Sequence, residues 1–206
     1  MDLKQIVETL GFFYKETLEP ERIDNVLTKA SNSVFSLRYA ESMESGDWTA
    51  LESFITVYGD NGTSLFHFTN GVGTKPADYF GNPEMYHTVG TDKIRVRFVS
   101  PNDFVELATH KIEYPSKNYP IANVRDWYIK ILPIDIRYTT FSYIKKPIPV
   151  HYEYTRTRGY VEYSPSGSSF PGWNESNQIQ IIMLALQDLG VLVSQEQIKS
   201  KINNQN

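Results

Sequence analysis

The sequence contains no cysteine, which excludes a disulfide scaffold and any thiol chemistry and fits assembly in a reducing cytoplasm. It also lacks an apolar run of the roughly 20 residues that a membrane-spanning helix needs, so we expect no membrane partner. The sequence also has no excess of basic residues, since acidic residues outnumber them and the formal net charge is −4 at pH 7. Non-specific nucleic-acid binding depends on a basic surface, so this balance argues against a general DNA- or RNA-binding protein.

Motifs for catalysis and cofactor binding are also missing. The sequence has no G-x-S-x-G nucleophile elbow, no phosphate-binding P-loop and no G-x-G-x-x-G fingerprint. Four histidines are widely separated, without the H-x-x-x-H or H-x-H spacing of metal ligands: His67, His87, His110 and His151. We therefore predict no catalytic, cofactor-binding or metal-binding residues and a non-enzymatic function. A small hydrolase whose triad comes from distant residues stays an alternative.

The chain is long enough for one sizeable core, with 206 residues of which 40% are hydrophobic. One domain spanning residues 1–206 is therefore expected. Its first residues, "MDLKQIVETL", do not combine a basic stretch with an apolar one, so no signal peptide is expected.

Helical patterns occupy both ends of the chain. A D-x-x-Q capping box at Asp2 and a proline at position 20 each begin an apolar stripe, which predicts an N-terminal helical pair within residues 1–41. Near the other end, Asn174 is placed to cap a helix that stops at Gly190, and "SQEQ" begins a short last helix. The stripe of the longer helix comprises Ile179, Ile182, Met183, Leu186 and Leu189. C-terminal helices are thus predicted within residues 174–206.

The sequence pattern of residues 50–163 predicts a β-rich core. In "KIRVRFV", Ile94, Val96 and Phe98 alternate with two arginines, as in a strand with one buried face. Four more stretches favour strands: "ANVRDWYIKILP", "IRYTTFSYI", "PVHYEYT" and "GYVEY". The fold class is therefore predicted as α+β, with a mostly antiparallel sheet over residues 92–163 and the C-terminal helices packed on the sheet.

Three stretches of this core carry local signals of other kinds. Ser100 followed by Pro101 predicts the start of a short helix. "TALESFITVYG" fits a helix in its first half and a strand in its second, and the turn "GDNGT" followed by "SLFHF" predicts a hairpin. Residues 69–91 are rich in glycine, proline and asparagine, which predicts a long loop and hence an interaction surface.

The stretch "RTRGYVEY" partly matches the RNP1 strand of an RNA-recognition module. A stacking platform needs its aromatics on one face of a strand, but Tyr160 and Tyr163 are three residues apart and point to opposite faces. A β-hairpin is the structural interpretation. Four basic residues in the hairpin and before it are the candidate partner contacts: Lys145, Lys146, Arg156 and Arg158. An alternative function is that of a protein that contacts nucleic acid through these residues.

Several segments together resemble a family of virion proteins. They are "NYPIANVRDWYIKILPIDIRYTTFSYIKKPIPVHYEY", then a glycine-containing hairpin, then "FPGWNESNQIQIIMLALQDLGV", with "EPERIDNVLTKASNSVF" near the start. These segments are similar to connector and tail ring proteins of crAss-like podoviruses and related Bacteroidota phages. The likeness covers about half of the chain, and residues 42–91 lie outside it.

The resemblance implies a structural role without catalysis or cofactor. It implies a homo-oligomeric ring in the virion, a dodecamer where it follows a portal, assembled in the host cytoplasm. Adjacent portal or tail ring proteins would be partners, and packaged DNA could pass through the lumen. We expect neighbouring subunits to meet through residues 69–91, the hairpin tip 155–159 and the two chain ends.

Overall fold

A computed structural model describes residues 1–14, 19–59, 63–110, 114–157 and 160–203. The chain forms two compact units. The helical unit comprises residues 1–53 and 147–206, and the sheet unit comprises residues 54–146. Helices at both ends and antiparallel sheets between them confirm the predicted α+β class. In the described ranges, every helix is too short or too polar to cross a bilayer.

The described residues contain five α-helices and eleven strands. The helices are α1 (Leu3–Tyr14), α2 (Pro20–Ser45), α3 (Pro101–Thr109), α4 (Glu175–Asp188) and α5 (Gln195–Asn203). A 3₁₀ helix covers Thr49–Phe54. The strands are β1 (Ile55–Tyr58), β2 (Phe66–His67), β3 (Val72–Thr74), β4 (Tyr79–Val89), β5 (Asp92–Arg95), β6 (Arg97–Phe98), β7 (Ile121–Val124), β8 (Tyr128–Leu132), β9 (Tyr138–Lys145), β10 (Tyr154–Thr157) and β11 (Tyr160–Tyr163).

The predicted helix starts are confirmed by their hydrogen bonds. The Gln5 backbone N–H donates to the Asp2 carboxylate at 2.8 Å, and the Asp2 N–H donates to the Gln5 amide oxygen at 3.0 Å. The Asn174 side chain accepts from the N–H of Asn177 at 3.0 Å and so caps α4. Each of these bonds satisfies a donor that the first helical turn would otherwise leave unpaired.

Helix α4 is at the centre of the helical unit and packs against α1, α2 and α5. The buried indole of Trp173, just before α4, donates to the hydroxyl of Ser31 on α2 at 2.8 Å. Arg38 on α2 donates to Asn177 at 2.9 Å and to Gln180 at 2.8 Å. The sequence predicted that the α4 stripe would pack on the sheet. The partners found are helices, because the first and last segments of the chain fold together into one unit.

The predicted hairpin near residue 158 is confirmed. Strands β10 and β11 pair antiparallel, with Tyr154 opposite Tyr163 and Thr157 opposite Tyr160. The turn between the two strands, residues 158–159, lies outside the described residues.

The sheet unit consists of two sheets packed face to face, with α3 on the outside of one of them. The first sheet has the order β1-β9-β4-β5, with β2 also pairing with β9, and the second has the order β3-β8-β7-β6. Side chains of both sheets share one core, among them Met85 and Phe141 of the first and Ile129 and Ile131 of the second. Phe104 of α3 packs on the opposite face of the second sheet.

One continuous stretch of chain links the two sheets. Strand β5 pairs with β4 in the first sheet, and β6 pairs with β7 in the second, in the one parallel pairing among the described strands. Between them, the Val96 N–H donates to the Met85 carbonyl at 2.8 Å. This crossing places the residues on either side of Val96 at a corner of the unit.

The prediction of a long loop over residues 69–91 is wrong. The segment contains β3 and the eleven-residue strand β4, which lies inside the first sheet between β9 and β5. The residues here that favour a turn form a β-bulge within β4. The strand register shifts between Gly81 and Glu84, and Asn82 has a φ of 48°. A bulge accommodates one extra residue while the strand continues on both sides.

Two further strand predictions are corrected. Strands β1 and β2 do not form a hairpin with each other, because both pair with β9 at successive positions. The stretch "ANVRDWYIKILP" is not one strand but the hairpin β7–β8, closed by the Arg125 N–H donating to the Tyr128 carbonyl at 2.8 Å. In both cases the apolar pattern is typical of strands throughout, and it does not show where the chain reverses its direction.

We expect the variant Gly71→Ala to destabilise the protein by about 1–3 kcal/mol. Gly71 has a φ of 75°, and a Cβ there would lie 2.8 Å from the Ile131 carbonyl oxygen and 3.0 Å from the Ile134 side chain. Urea unfolding measures the effect. Gly90→Ala is the matched control, because Gly90 also has a positive φ, of 63°, but open space around it. Equal losses in the two variants would contradict a role for the close approach at Gly71.

Candidate interaction site

The four basic residues proposed from the sequence do not share one structural element. Lys145 is the last residue of β9 and is half-buried, and Lys146 follows it, exposed, with its backbone N–H donating to the Asp78 carbonyl at 2.7 Å. Arg156 is placed by its backbone in β10, opposite Val161, and Arg158 lies outside the described residues. Lys145 and Lys146 thus belong to the sheet unit and Arg156 to the helical unit.

A different pair of basic residues lines a pocket of about 430 Å³ in the sheet unit. We name it the Arg95–Arg97 pocket. Its lining residues come from β5, β6, α3, the connection between α3 and β7, and the start of β7: Arg95, Arg97, Leu107, Tyr114, Pro115, Asn118, Tyr119, Pro120 and Ile121.

Strand alternation brings the two guanidinium groups to the same side of the chain. Val96 is buried, whereas Arg95 and Arg97 are exposed, as the predicted pattern requires. Arg95 makes an exposed ion pair with Glu84 at 3.1 Å, and Arg97 has no ion pair among the residues that the structure describes. Exposed pairs of this kind contribute little stability, so both guanidinium groups can bind an added anion.

The opposite wall of the pocket is aromatic and held in place locally. The Tyr119 N–H donates to the Ser116 carbonyl at 3.0 Å, which closes a turn, yet the Tyr119 side chain is 79% exposed. Lys117 in this turn pairs with Asp135 at 2.8 Å, and its hydrogen bond holds the pKa of Asp135 below the usual value. Two guanidinium groups beside an apolar and aromatic lining suit a ligand that carries an anionic group next to an apolar one.

Large aromatic side chains are exposed elsewhere on the sheet unit as well. Trp127, in the turn of the β7–β8 hairpin, is 69% exposed, and its ring contacts Tyr128 edge-on with centroids 4.5 Å apart. Tyr138, at the start of β9, is more than half exposed and lies against His67, with ring centroids 5.1 Å apart. Neither side chain is required by the core, so a contact with another molecule is the natural use of both.

The hydrolase alternative gains no geometric support from His87 and His151. Both ring nitrogens of His151 contact carboxylates, namely Asp24 at 3.1 Å and Glu153 at 2.8 Å. Both ring nitrogens of His87 are buried and have no hydrogen-bond partner within the described ranges. A nucleophilic serine would need its hydroxyl within hydrogen-bond reach of such a nitrogen.

The contacts of His151 join two segments of the helical unit. Asp24 of α2 accepts from the Tyr152 backbone N–H at 2.7 Å through one carboxylate oxygen and contacts His151 through the other. Hydrogen bonds to Glu153 and then to Asp24 raise the pKa of His151 above its ordinary value of 6.5. The protonated imidazolium is therefore favoured by the folded state.

We expect this junction to make the protein more stable at mildly acid than at alkaline pH. Because the folded-state pKa of His151 is raised, its stabilising contribution is complete below the unfolded-state pKa and is lost as pH rises through the folded-state pKa. In His151→Gln, the drop in Tm from about pH 6 to about pH 9 should shrink relative to the unmodified protein.

The matched control for this effect is His67→Gln. His67 is exposed and its ring lies tilted against that of Tyr138, with no carboxylate contact among the described residues. Its replacement should leave the pH dependence of Tm unchanged. A pH dependence that is the same in His151→Gln and in the unmodified protein would contradict the role of the junction.

No group of three or more histidine, aspartate or glutamate side chains with the arrangement of a metal site occurs within the described ranges. Comparison of the sequence with protein-family models gives no match. Comparison with curated proteins gives no match either.

Proposed function

We propose that this protein is a non-enzymatic structural subunit of a ring in the head-to-tail connector or tail of a short-tailed phage virion. The observation that carries the proposal is the display of large aromatic side chains on the surface of the sheet unit. Four of them are more than half exposed: Tyr114, Tyr119, Trp127 and Tyr138. The resemblance of residues 118–154 and 170–191 to crAss-like connector and tail ring proteins supports the class.

The physical argument rests on the cost of leaving such side chains in water. Covering the apolar area of an aromatic side chain lowers the free energy of the system. Tyrosine and tryptophan also keep a polar group that can stay hydrated or hydrogen-bonded at an interface. These residue types are enriched at the energetically dominant positions of protein–protein interfaces. Their positions near a turn and at strand ends leave them accessible to a neighbouring subunit.

The structure changes which segments can serve as contacts in this proposal. Strands β3 and β4 lie within residues 69–91, and β4 pairs with β9 over Tyr79–Tyr86 and with β5 over Tyr86–Val89, so this segment is part of the sheets and not a free loop. The exposed aromatics lie instead in the connection 114–120, in the β7–β8 turn and at the start of β9. We therefore place the subunit contacts of the sheet unit in these three segments.

The proposed partners follow from a ring located in the virion. Identical subunits would form a closed homo-oligomer, a dodecamer where the ring follows a portal, beside portal or tail ring proteins. Packaged DNA could pass through the lumen, and Lys145, Lys146, Arg156 and Arg158 are candidate contacts to it or to acidic groups of neighbours. A cyclic ring needs head-to-tail contacts, in which two different surfaces of the same subunit meet.

Two measurements test the proposed function. Native mass spectrometry of the purified chain at increasing concentration should show closed oligomers of one size, and purified virus particles from its native source should contain the chain at a fixed ring stoichiometry. A chain that is monomeric alone but present in particles at that stoichiometry still supports the proposal. A chain that is both monomeric alone and absent from particles would overturn it.

A further inference from the structure

The Arg95–Arg97 pocket has the properties of a site for an acidic protein segment. Its volume of about 430 Å³ is sufficient for one or two side chains but not for a folded element. Leu107 and Ile121 supply apolar lining, Tyr119 projects beside it, and Arg97 has no ion pair among the described residues. An occupant therefore needs a carboxylate for the guanidinium groups and an apolar side chain for the lining.

The end of α2 in the helical unit has the complementary chemistry. Residues 41–47, "ESMESGD", contain three acidic residues and no basic one. Met43 is 58% exposed, and Glu44 beside it is exposed with no ion pair within the described ranges. Helix α2 ends here at Ser45 with Gly46 as its C-cap, so the partial negative charge of its C-terminal carbonyls adds to that of the carboxylates.

We propose that the Arg95–Arg97 pocket of one subunit binds the acidic end of α2, residues 41–47, of a second copy of this chain. Glu44 pairs with Arg97, and the flexible thioether side chain of Met43 enters the apolar part of the pocket. This inference rests on the proposed function and gives its head-to-tail contact two named surfaces. Because the surfaces differ, each copy keeps one free surface of each kind, and the contact can repeat until a ring closes.

The other acidic groups at the end of α2 are already engaged, which singles out Glu44. Glu41 accepts from Arg38 at 2.7 Å, and Asp47 accepts from the Thr49 hydroxyl at 2.6 Å. These local bonds fix the shape of the segment and leave Glu44 as its available carboxylate. The exposed position of Met43 beside it brings together the two features that the pocket requires.

Charge reversal and charge exchange test the pairing. Arg97→Glu and Glu44→Arg should each raise the concentration needed for self-association by about tenfold or more, because each places like charges together. The double variant Arg97→Glu/Glu44→Arg should restore much of the association. Arg22→Glu and Glu21→Arg are matched controls, since they reverse exposed charges at the start of α2, outside both surfaces, and should leave association unchanged.

Disulfide trapping tests the same contact without depending on charge. The chain has no cysteine, so each engineered cysteine is unique. Equal amounts of Tyr119→Cys and Met43→Cys are mixed at high concentration and oxidised mildly. A cross-linked dimer should form in the mixture and not in either variant alone. A mixture of Trp127→Cys and Met43→Cys is the control and should give no cross-link.

The outcomes separate this inference from the proposed function. Oligomers that form normally in the charge-reversal variants, without the Tyr119→Cys to Met43→Cys cross-link, would overturn the pocket contact and leave a ring built through other surfaces. No association and no cross-link at any concentration would also overturn it, while the particle measurement decides the proposed function separately. Binding of Arg97 to DNA with a steep salt dependence, in place of self-association, would assign the pocket to nucleic acid instead.

Discussion

Replacing Leu186 by alanine is expected to lower the free energy of unfolding by about 2–5 kcal/mol. Leu186 is fully buried on α4, the helix that packs against α1, α2 and α5. Truncation removes apolar surface from the core and leaves a cavity, and three surrounding helices limit how far the site can collapse. Urea unfolding followed by the helical circular dichroism signal measures the loss.

Leu192→Ala is the matched control for this variant. It makes the same chemical change in the same unit, but Leu192 is 85% exposed. Its effect should remain within about 0.5 kcal/mol, as expected for a surface substitution. If Leu186→Ala caused an equally small change, the α4 stripe could not be part of a packed core.

Helix boundaries could be predicted from the sequence because the information that sets them is local. Ser100 and Asn174 are each a few residues from the backbone N–H that they cap, so the chain segment itself contains both partners. The stop at Gly190 is equally local, since its φ of 82° is a conformation that glycine adopts readily. These signals do not depend on what the rest of the chain does.

Strand connectivity could not be predicted, because a strand's partner is distant in sequence. Nothing near Ile55 or Phe66 indicates that both strands pair with β9, more than 70 residues away. The sequence does not predict strand β4, because Gly81, Asn82 and Pro83 favour a turn when considered alone. In the fold they occupy a bulge between two paired stretches.

The candidate site could also be predicted only in part, because its residues come from segments that are distant in sequence. Alternation along "KIRVRFV" is enough to predict that Arg95 and Arg97 share an exposed face. It does not predict that Tyr114 and Tyr119 approach them, because that depends on the parallel pairing of β6 with β7 and on where α3 packs. The basic residues near position 158 are close together in the sequence, whereas the pocket is formed by residues up to 26 positions apart.

The core of the sheet unit is centred on Phe141 of β9. This strand pairs with β1, β2 and β4, and Phe141 projects from it into the core that the two sheets share. Phe141 is 1% exposed, and its ring lies 4.8 Å from that of Phe66 and 5.3 Å from that of Tyr143, centroid to centroid. Aromatic contacts of this kind add to the free energy of burying the ring itself.

Phe141→Ala is therefore expected to destabilise the protein by about 3–5 kcal/mol, and Phe141→Leu by clearly less, because leucine keeps most of the buried volume. Urea unfolding followed by the near-ultraviolet circular dichroism of the tyrosines reports on this core, since Tyr58 and Tyr143 both stack on Phe141. Tyr138→Ala, on the same strand but more than half exposed, is the matched control and should have a much smaller effect. Equal losses for Phe141→Ala and Tyr138→Ala would mean that burial between the two sheets does not determine the contribution of a β9 side chain.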